Sequence, residues 1–223
     1  MKDLSVVQKY MLCALGDRGT FPLMSSDDRV LCLVAAGLLE LEMEGSIAVD
    51  GKKVTAAGKL PAGRGYLAPL YDFIVEKQPV KLHAVVDAYG LSFSFSDKRL
   101  NELREAVGQS LVEAKAAEPC KAGLLGRQTG YQPVPEAVRS VVEEMRAELL
   151  EEGPVCDDTV ALVVLLEQAK CLKQYFSEFE RKAVRQKIKA LVQSPEGKMV
   201  GDMMTYFELF WATRGAGAAG GAG

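Results

Sequence analysis

Between residues 170 and 189 the sequence sets seven cations, Lys170, Lys173, Arg181, Lys182, Arg185, Lys187 and Lys189, against two carboxylates, Glu178 and Glu180, a local charge of about +5. Lys182, Arg185 and Lys189 fall at helical offsets of three and seven, so a helix over 176–193 gathers them on one face. Ammonium and guanidinium groups so placed attract phosphates, whether of an anionic membrane or of a nucleic acid. The same stripe has a plainer reading, a solvated face complementing the acidic stretch that carries Glu143, Glu144, Glu148, Glu151 and Glu152.

The other recognisable routes to chemistry are missing. His83 is the only histidine and sits among Leu82, Val85 and Val86, so neither a histidine-based triad nor a multi-histidine metal site can be assembled in one chain. No two of the cysteines (Cys13, Cys32, Cys120, Cys156, Cys171) stand two residues apart, and most lie in apolar helical patterns, so they read as reduced thiols. Residues 45–52 miss the phosphate-loop pattern in glycine spacing and in the required Ser or Thr. The expectation is a protein that is not an enzyme and carries no cofactor or metal.

The elements that position these groups belong to an ordinary globular chain. Of 223 residues 48% are apolar, and 27 basic against 30 acidic residues leave a net charge of -3, so no global positive field draws the chain to nucleic acid or lipid. The apolar runs 31–39 and 160–166 are far shorter than the roughly 18 residues that span a bilayer. They read as buried helices. With no secretory signal at the start, the expected location is cytoplasmic, with peripheral placement on the cytoplasmic membrane face.

Apolar periodicity predicts a short amphipathic helix over 4–15 and a buried helix from about Ser25–Asp28 to Glu44, closed by Gly45. Residues 47–54 form a hairpin through Asp50-Gly51 with the positive φ angles of a type I′ turn. Helices follow over 66–76, 80–89 and 97–115, the first two parted by Pro79 and the third capped by Ser96. Residues 121–135 read as a hairpin or exposed loop, then helices run over 135–152, 158–174, 176–193 and 199–213. The fold expected is mainly α: one compact domain over 1–214, a central helical bundle wrapped by amphipathic helices with small β-hairpins, and a flexible Gly/Ala tail at 215–223.

Three blocks carry a family likeness: residues 4–21, ending Gly16-Asp17-Arg18-Gly19-Thr20-Phe21; the helix-glycine-strand piece Leu38-Leu39-Glu40-Leu41-Glu42-Met43-Glu44-Gly45-Ser46-Ile47; and Leu100 to Glu105 leading to Ser110-Leu111-Val112-Glu113. With the apolar 158–166 and basic 176–193 helices they resemble, over residues 4–213, the Golgi phosphoprotein 3 family, in a bacterial-type form without the arginine-rich leader of eukaryotic members. The resemblance implies a compact helical fold and, as in eukaryotic members, a shallow pocket for phosphatidylinositol 4-phosphate on a peripheral adaptor. The positions matching that pocket are Ser25, Val34, Asn101 and Arg104, of which only Arg104 keeps the family residue. Arg29 and Arg99 lie near the substituted positions as replacement cations. Coat binding and Golgi retention do not carry over.

The function expected is therefore a membrane-surface adaptor whose partners are anionic lipid headgroups or a membrane-protein tail. The alternative is a winged-helix DNA-binding regulator, since a helix ending at Gly45 before a two-stranded wing has that module's outline. Its recognition helix would carry Glu40, Glu42 and Glu44 and no base-reading side chain after Arg29, so nucleic acid is not expected. Self-association through 121–135 is a further expectation, resting on exposure of Leu124, Leu125 and Tyr131.

Overall fold

The chain's first helix, α1 (Val6–Ala14), opens where Gln8 Oε1 accepts the Ser5 amide at 3.0 Å. The computed structural model describes residues 3–22, 26–89, 98–123, 128–193, 205–208 and 210–212. The periodicity predicts an amphipathic α1, but every one of its residues is buried, because α2, α5, α6 and α7 all pack against it. Its two polar side chains are matched inside: Gln8 donates to Ser110 Oγ at 2.8 Å and Lys9 to Glu144 at 2.6 Å. Pairing is what allows such groups to be buried.

Helix α2 (Ser26–Met43) is buried without interruption from Arg29 to Leu41. Gly45 ends it at φ +67°, with the Ser46 amide on Leu41 O and the Gly45 amide on Glu42 O, the two bonds of a Schellman motif. A helix enclosed in this way does not reach a DNA groove, which removes the structural premise of a winged-helix regulator. Glu40, 3% exposed, turns its carboxylate to the first turn of α1, accepting the Val7 amide at 3.0 Å and the Tyr66 hydroxyl at 2.7 Å, with Arg64 Nε at 3.1 Å. Negative charge at a helix N-terminus is favourable.

Strands β1 (Ile47–Asp50) and β2 (Lys53–Ala56) form the expected hairpin, but Asp50 pairs with Lys53, so the turn residues are Gly51 and Lys52. Only Gly51 of the two has a positive φ, the glycine-first pattern of a type II′ turn rather than type I′. A third strand, β3 (Val80–Lys81), extends this sheet through Val54 and Val80 where a helix start was expected. Around it lie a 3-10 segment (Ala62–Leu67), α3 (Ala68–Lys77), α4 (Leu82–Tyr89) and α5 (Lys98–Glu113).

The second sheet is the hairpin of β4 (Ala117–Ala122) and β5 (Gln128–Pro133), docked on the loop after α1 by the Tyr131 amide, which donates to Gly19 O at 2.8 Å. Tyr131 is 4% exposed, so it offers no surface for self-association. Its backbone and ring are already committed to this chain. Helix α6 (Pro135–Leu150) starts on Pro135 as predicted. The single helix expected over 158–174 is two pieces, α7 (Asp157–Gln168) and a 3-10 turn (Leu172–Gln174), separated by Lys170 at φ +59°. Helix α8 (Glu178–Gln193) follows, and residues 205–208 and 210–212 are helical, burying Tyr206, Phe207 and Phe210. The expectations for Ser25, Ser96, Leu124, Leu125 and the 215–223 tail lie outside the described residues.

Candidate functional site

Helix α5 turns Leu100, Leu103, Val107 and Leu111 into the core. That phase leaves Asn101, Arg104 and Gly108, at offsets of three and seven, on a neighbouring stripe. Asn101 and Arg104 are half-buried. Below them Gly108 lies under the ring of Tyr131, whose hydroxyl donates to Glu105 O at 3.2 Å. Burial raises the Tyr131 hydroxyl above its ordinary range and Glu105 adds to this, while the nearby Arg104 charge opposes it. Arg104 Nε is buried and has no hydrogen-bond partner among the described residues. The Nε atoms of Arg29, Arg146 and Arg181 share this state; what singles out Arg104 is its half-exposed position one turn from Asn101.

The remaining family-matched and replacement positions are placed differently. Val34 is fully buried in α2, out of reach of a solvent-borne headgroup, and Ser25 lies outside the described residues. Arg29 is 3% exposed; one of its terminal nitrogens donates to Ala14 O at the C-terminal end of α1, where a cation is favoured. Arg99 points to another side of α5, its guanidinium 5.2 Å from the centre of the Phe73 ring. Asn101 and Arg104 are thus the two matched positions that present surface together.

The basic stretch 170–189, which includes most of α8, also resolves residue by residue. Lys170 pairs with Asp28 at 2.7 Å, Arg185 pairs with Glu167, and Lys187 donates to Glu148 O and Glu151 O, both at 2.6 Å, at the end of α6. Lys182 and Lys189 are exposed and in no ion pair among the described residues. Of the three cations expected on one basic face, Lys182 and Lys189 are exposed, and Arg185, also exposed, is paired with Glu167 of α7. A groove of about 370 Å³ runs between α7 and α8, floored by Val163, Leu172, Val184 and Ile188.

The model of the family described as Golgi phosphoprotein 3 (GPP34) matches residues 6–206, most of the chain. The chain belongs to the Golgi phosphoprotein 3 family. The match spans α1 to the helical residue Tyr206, so Asn101, Arg104 and the whole of α8 lie inside the family domain. No curated protein matches the chain. Among the described residues no helix is long and apolar enough to cross a membrane.

Sequence reasoning missed two features of this Golgi phosphoprotein 3 domain, of which one was legible in advance. The contact of Tyr131 with the Arg104 stripe joins residues far apart in sequence, and only the glycine at 108, four residues after Arg104, hinted that something lies close against the helix. Phe179, 83% exposed, was readable: it is out of phase with Val184, Ile188 and Leu191, the α8 residues packed on the core.

Proposed function

We propose that this chain is a peripheral adaptor on the cytoplasmic face of a membrane, which takes the phosphate of an anionic lipid headgroup on the Asn101 and Arg104 stripe of α5. The observation that carries the reading is Arg104 itself, a half-buried cation on α5 that keeps part of its surface in solvent and is in no ion pair among the described residues. Asn101, one turn away, adds neutral donors and an acceptor for headgroup hydroxyls. Membership of the Golgi phosphoprotein 3 family supports the adaptor role. It also makes phosphatidylinositol 4-phosphate the first headgroup to test. A membrane-protein tail is the cargo such an adaptor would hold.

The test is co-sedimentation with neutral, phosphatidylserine and phosphatidylinositol 4-phosphate vesicles at low and physiological salt. The expected result is binding to phosphoinositide vesicles above that to phosphatidylserine vesicles of equal charge, weakened roughly tenfold by Arg104→Ala and only partly restored by Arg104→Lys, which lacks the planar fork. Equal binding to both anionic vesicles would overturn headgroup recognition, and binding to neither would overturn the membrane reading.

A further inference from the structure

Helix α8 places Val184 in the core and packs Ile188 and Leu191 against it. The opposite side carries Phe179, Lys182, Gln186 and Lys189, at offsets of three, seven and ten; all four are exposed, Lys189 at the rim of the α7–α8 groove. Phe179 leaves 83% of its surface in water, against 43% or less for the other exposed large hydrophobic residues. Of the cations in this stretch, Lys170, Arg185 and Lys187 are held by Asp28, Glu167 and the α6 carbonyls. Lys182 and Lys189, either side of Gln186 on the Phe179 stripe, have no ion pair among the described residues. Of the two carboxylates at this end of α8, Glu180 is turned away, accepting the Ser177 amide at 2.7 Å and lying 3.4 Å from Arg146, while Glu178 is exposed beside Phe179.

We infer that the face of α8 formed by Phe179, Lys182 and Lys189 is a contact surface for an anionic lipid bilayer, with the ring at the level of the headgroups and the two ammonium groups on lipid phosphates. The inference rests on the reading that the protein works at a membrane surface. The occupant follows from the shape of the patch. A protein partner would need on the order of 800 Å² of complementary surface on this side, and one ring among polar residues does not supply it. A bilayer interface needs no pocket; it takes an aromatic ring at the headgroup boundary and rewards each nearby lysine electrostatically. Contact of this kind is reversible and weakens with salt.

The experiment uses the full chain with phosphatidylcholine vesicles, with and without phosphatidylserine, at low and physiological salt. Variants are Phe179→Ser, the double charge reversal Lys182→Glu with Lys189→Glu, and Arg104→Ala as a separate arm. Circular dichroism confirms that each is folded. Phe179→Ser is expected to reduce partitioning roughly tenfold, and the double reversal by at least about 25-fold at low salt, roughly fivefold per lysine. In a Trp211→Phe background, Phe179→Trp should shift its emission to the blue on anionic vesicles only. Wild-type partitioning by the Phe179 and lysine variants, with no emission shift, would overturn this surface and leave the Arg104 reading standing. Failure of the wild-type protein to bind any anionic vesicle would overturn both.

Discussion

The ring of Tyr131 lies directly on Gly108: a Cβ built at residue 108 would collide with the ring edge at Tyr131 Cε2. A glycine in the interior of α5 costs about 1 kcal/mol relative to alanine, and here it leaves room for the ring that ties the second hairpin to the helix. Gly108→Ala should therefore destabilise the protein by about 1–3 kcal/mol despite its better helix propensity. In a Tyr131→Ala background the same change should be neutral or stabilising. Urea unfolding of the double-mutant cycle measures the coupling, and simple additivity would show that the contact carries no strain.

Helix α5 ends as α2 does, with the Ala116 amide on Leu111 O and the Lys115 amide on Val112 O, but the left-handed residue is Lys115 at φ +58°. A side chain is disfavoured in that conformation. Lys115→Gly should raise stability by about 1 kcal/mol, seen as a higher urea midpoint at unchanged slope. Gly45→Ala should do the reverse at the end of α2.

Cys156 is the exposed thiol, and Glu148, whose carboxylate accepts the Cys156 amide at 2.7 Å, holds that thiol above its ordinary range by charge repulsion. Burial pushes Cys13 up to about 12 and Cys171 up to about 11. In the native protein a thiolate-selective reagent should modify Cys156 slowly and leave Cys13, Cys32 and Cys171 untouched until unfolding. Glu148→Gln should speed the Cys156 reaction by releasing thiolate at a given pH. Peptide mapping after timed labelling reads both outcomes.

Tyr10 and Tyr206 are buried, and burial raises both hydroxyls well above the ordinary tyrosine range, as it also raises Tyr66, Tyr89 and Tyr175. Below pH about 10 both folded and unfolded chains keep these protons, so the tyrosines add no pH dependence. Above it the unfolded chain releases protons that the folded chain retains, and stability falls as pH rises. Ionisation of these five tyrosines, the larger part of the seven in the chain, should then accompany loss of helical circular dichroism in one alkaline transition. Gradual ionisation ahead of the loss of helix would contradict this.

The helices were legible because their apolar periods are long and their ends are marked by glycine or proline, as at Gly45 and Pro135. The sequence was less informative where tertiary contact outweighs local pattern. Gln8 and Lys9 read as the wet side of α1, yet Ser110 and Glu144 from distant helices take them inside. The break at Lys170 was hidden because a lysine, not a glycine, adopts the left-handed turn. At the candidate site, Arg104 and Asn101 could be aligned by family spacing, whereas the burial of Val34 and the pairing of Arg185 with Glu167 depend on which helices come to lie beside them.

Helix α1 leaves the ribosome before the four helices that pack on it, α2, α5, α6 and α7, the last of which begins at Asp157. At translation rates of about 5–20 residues per second, its nine residues wait on the order of 10–30 s before the final wall of their cavity leaves the exit tunnel. Through that interval Val7, Tyr10 and Met11 have no complete core to enter. The protein should therefore depend on holding chaperones during synthesis more than a domain built from neighbouring helices, and nascent chains stalled before residue 157 should remain protease-sensitive throughout their length.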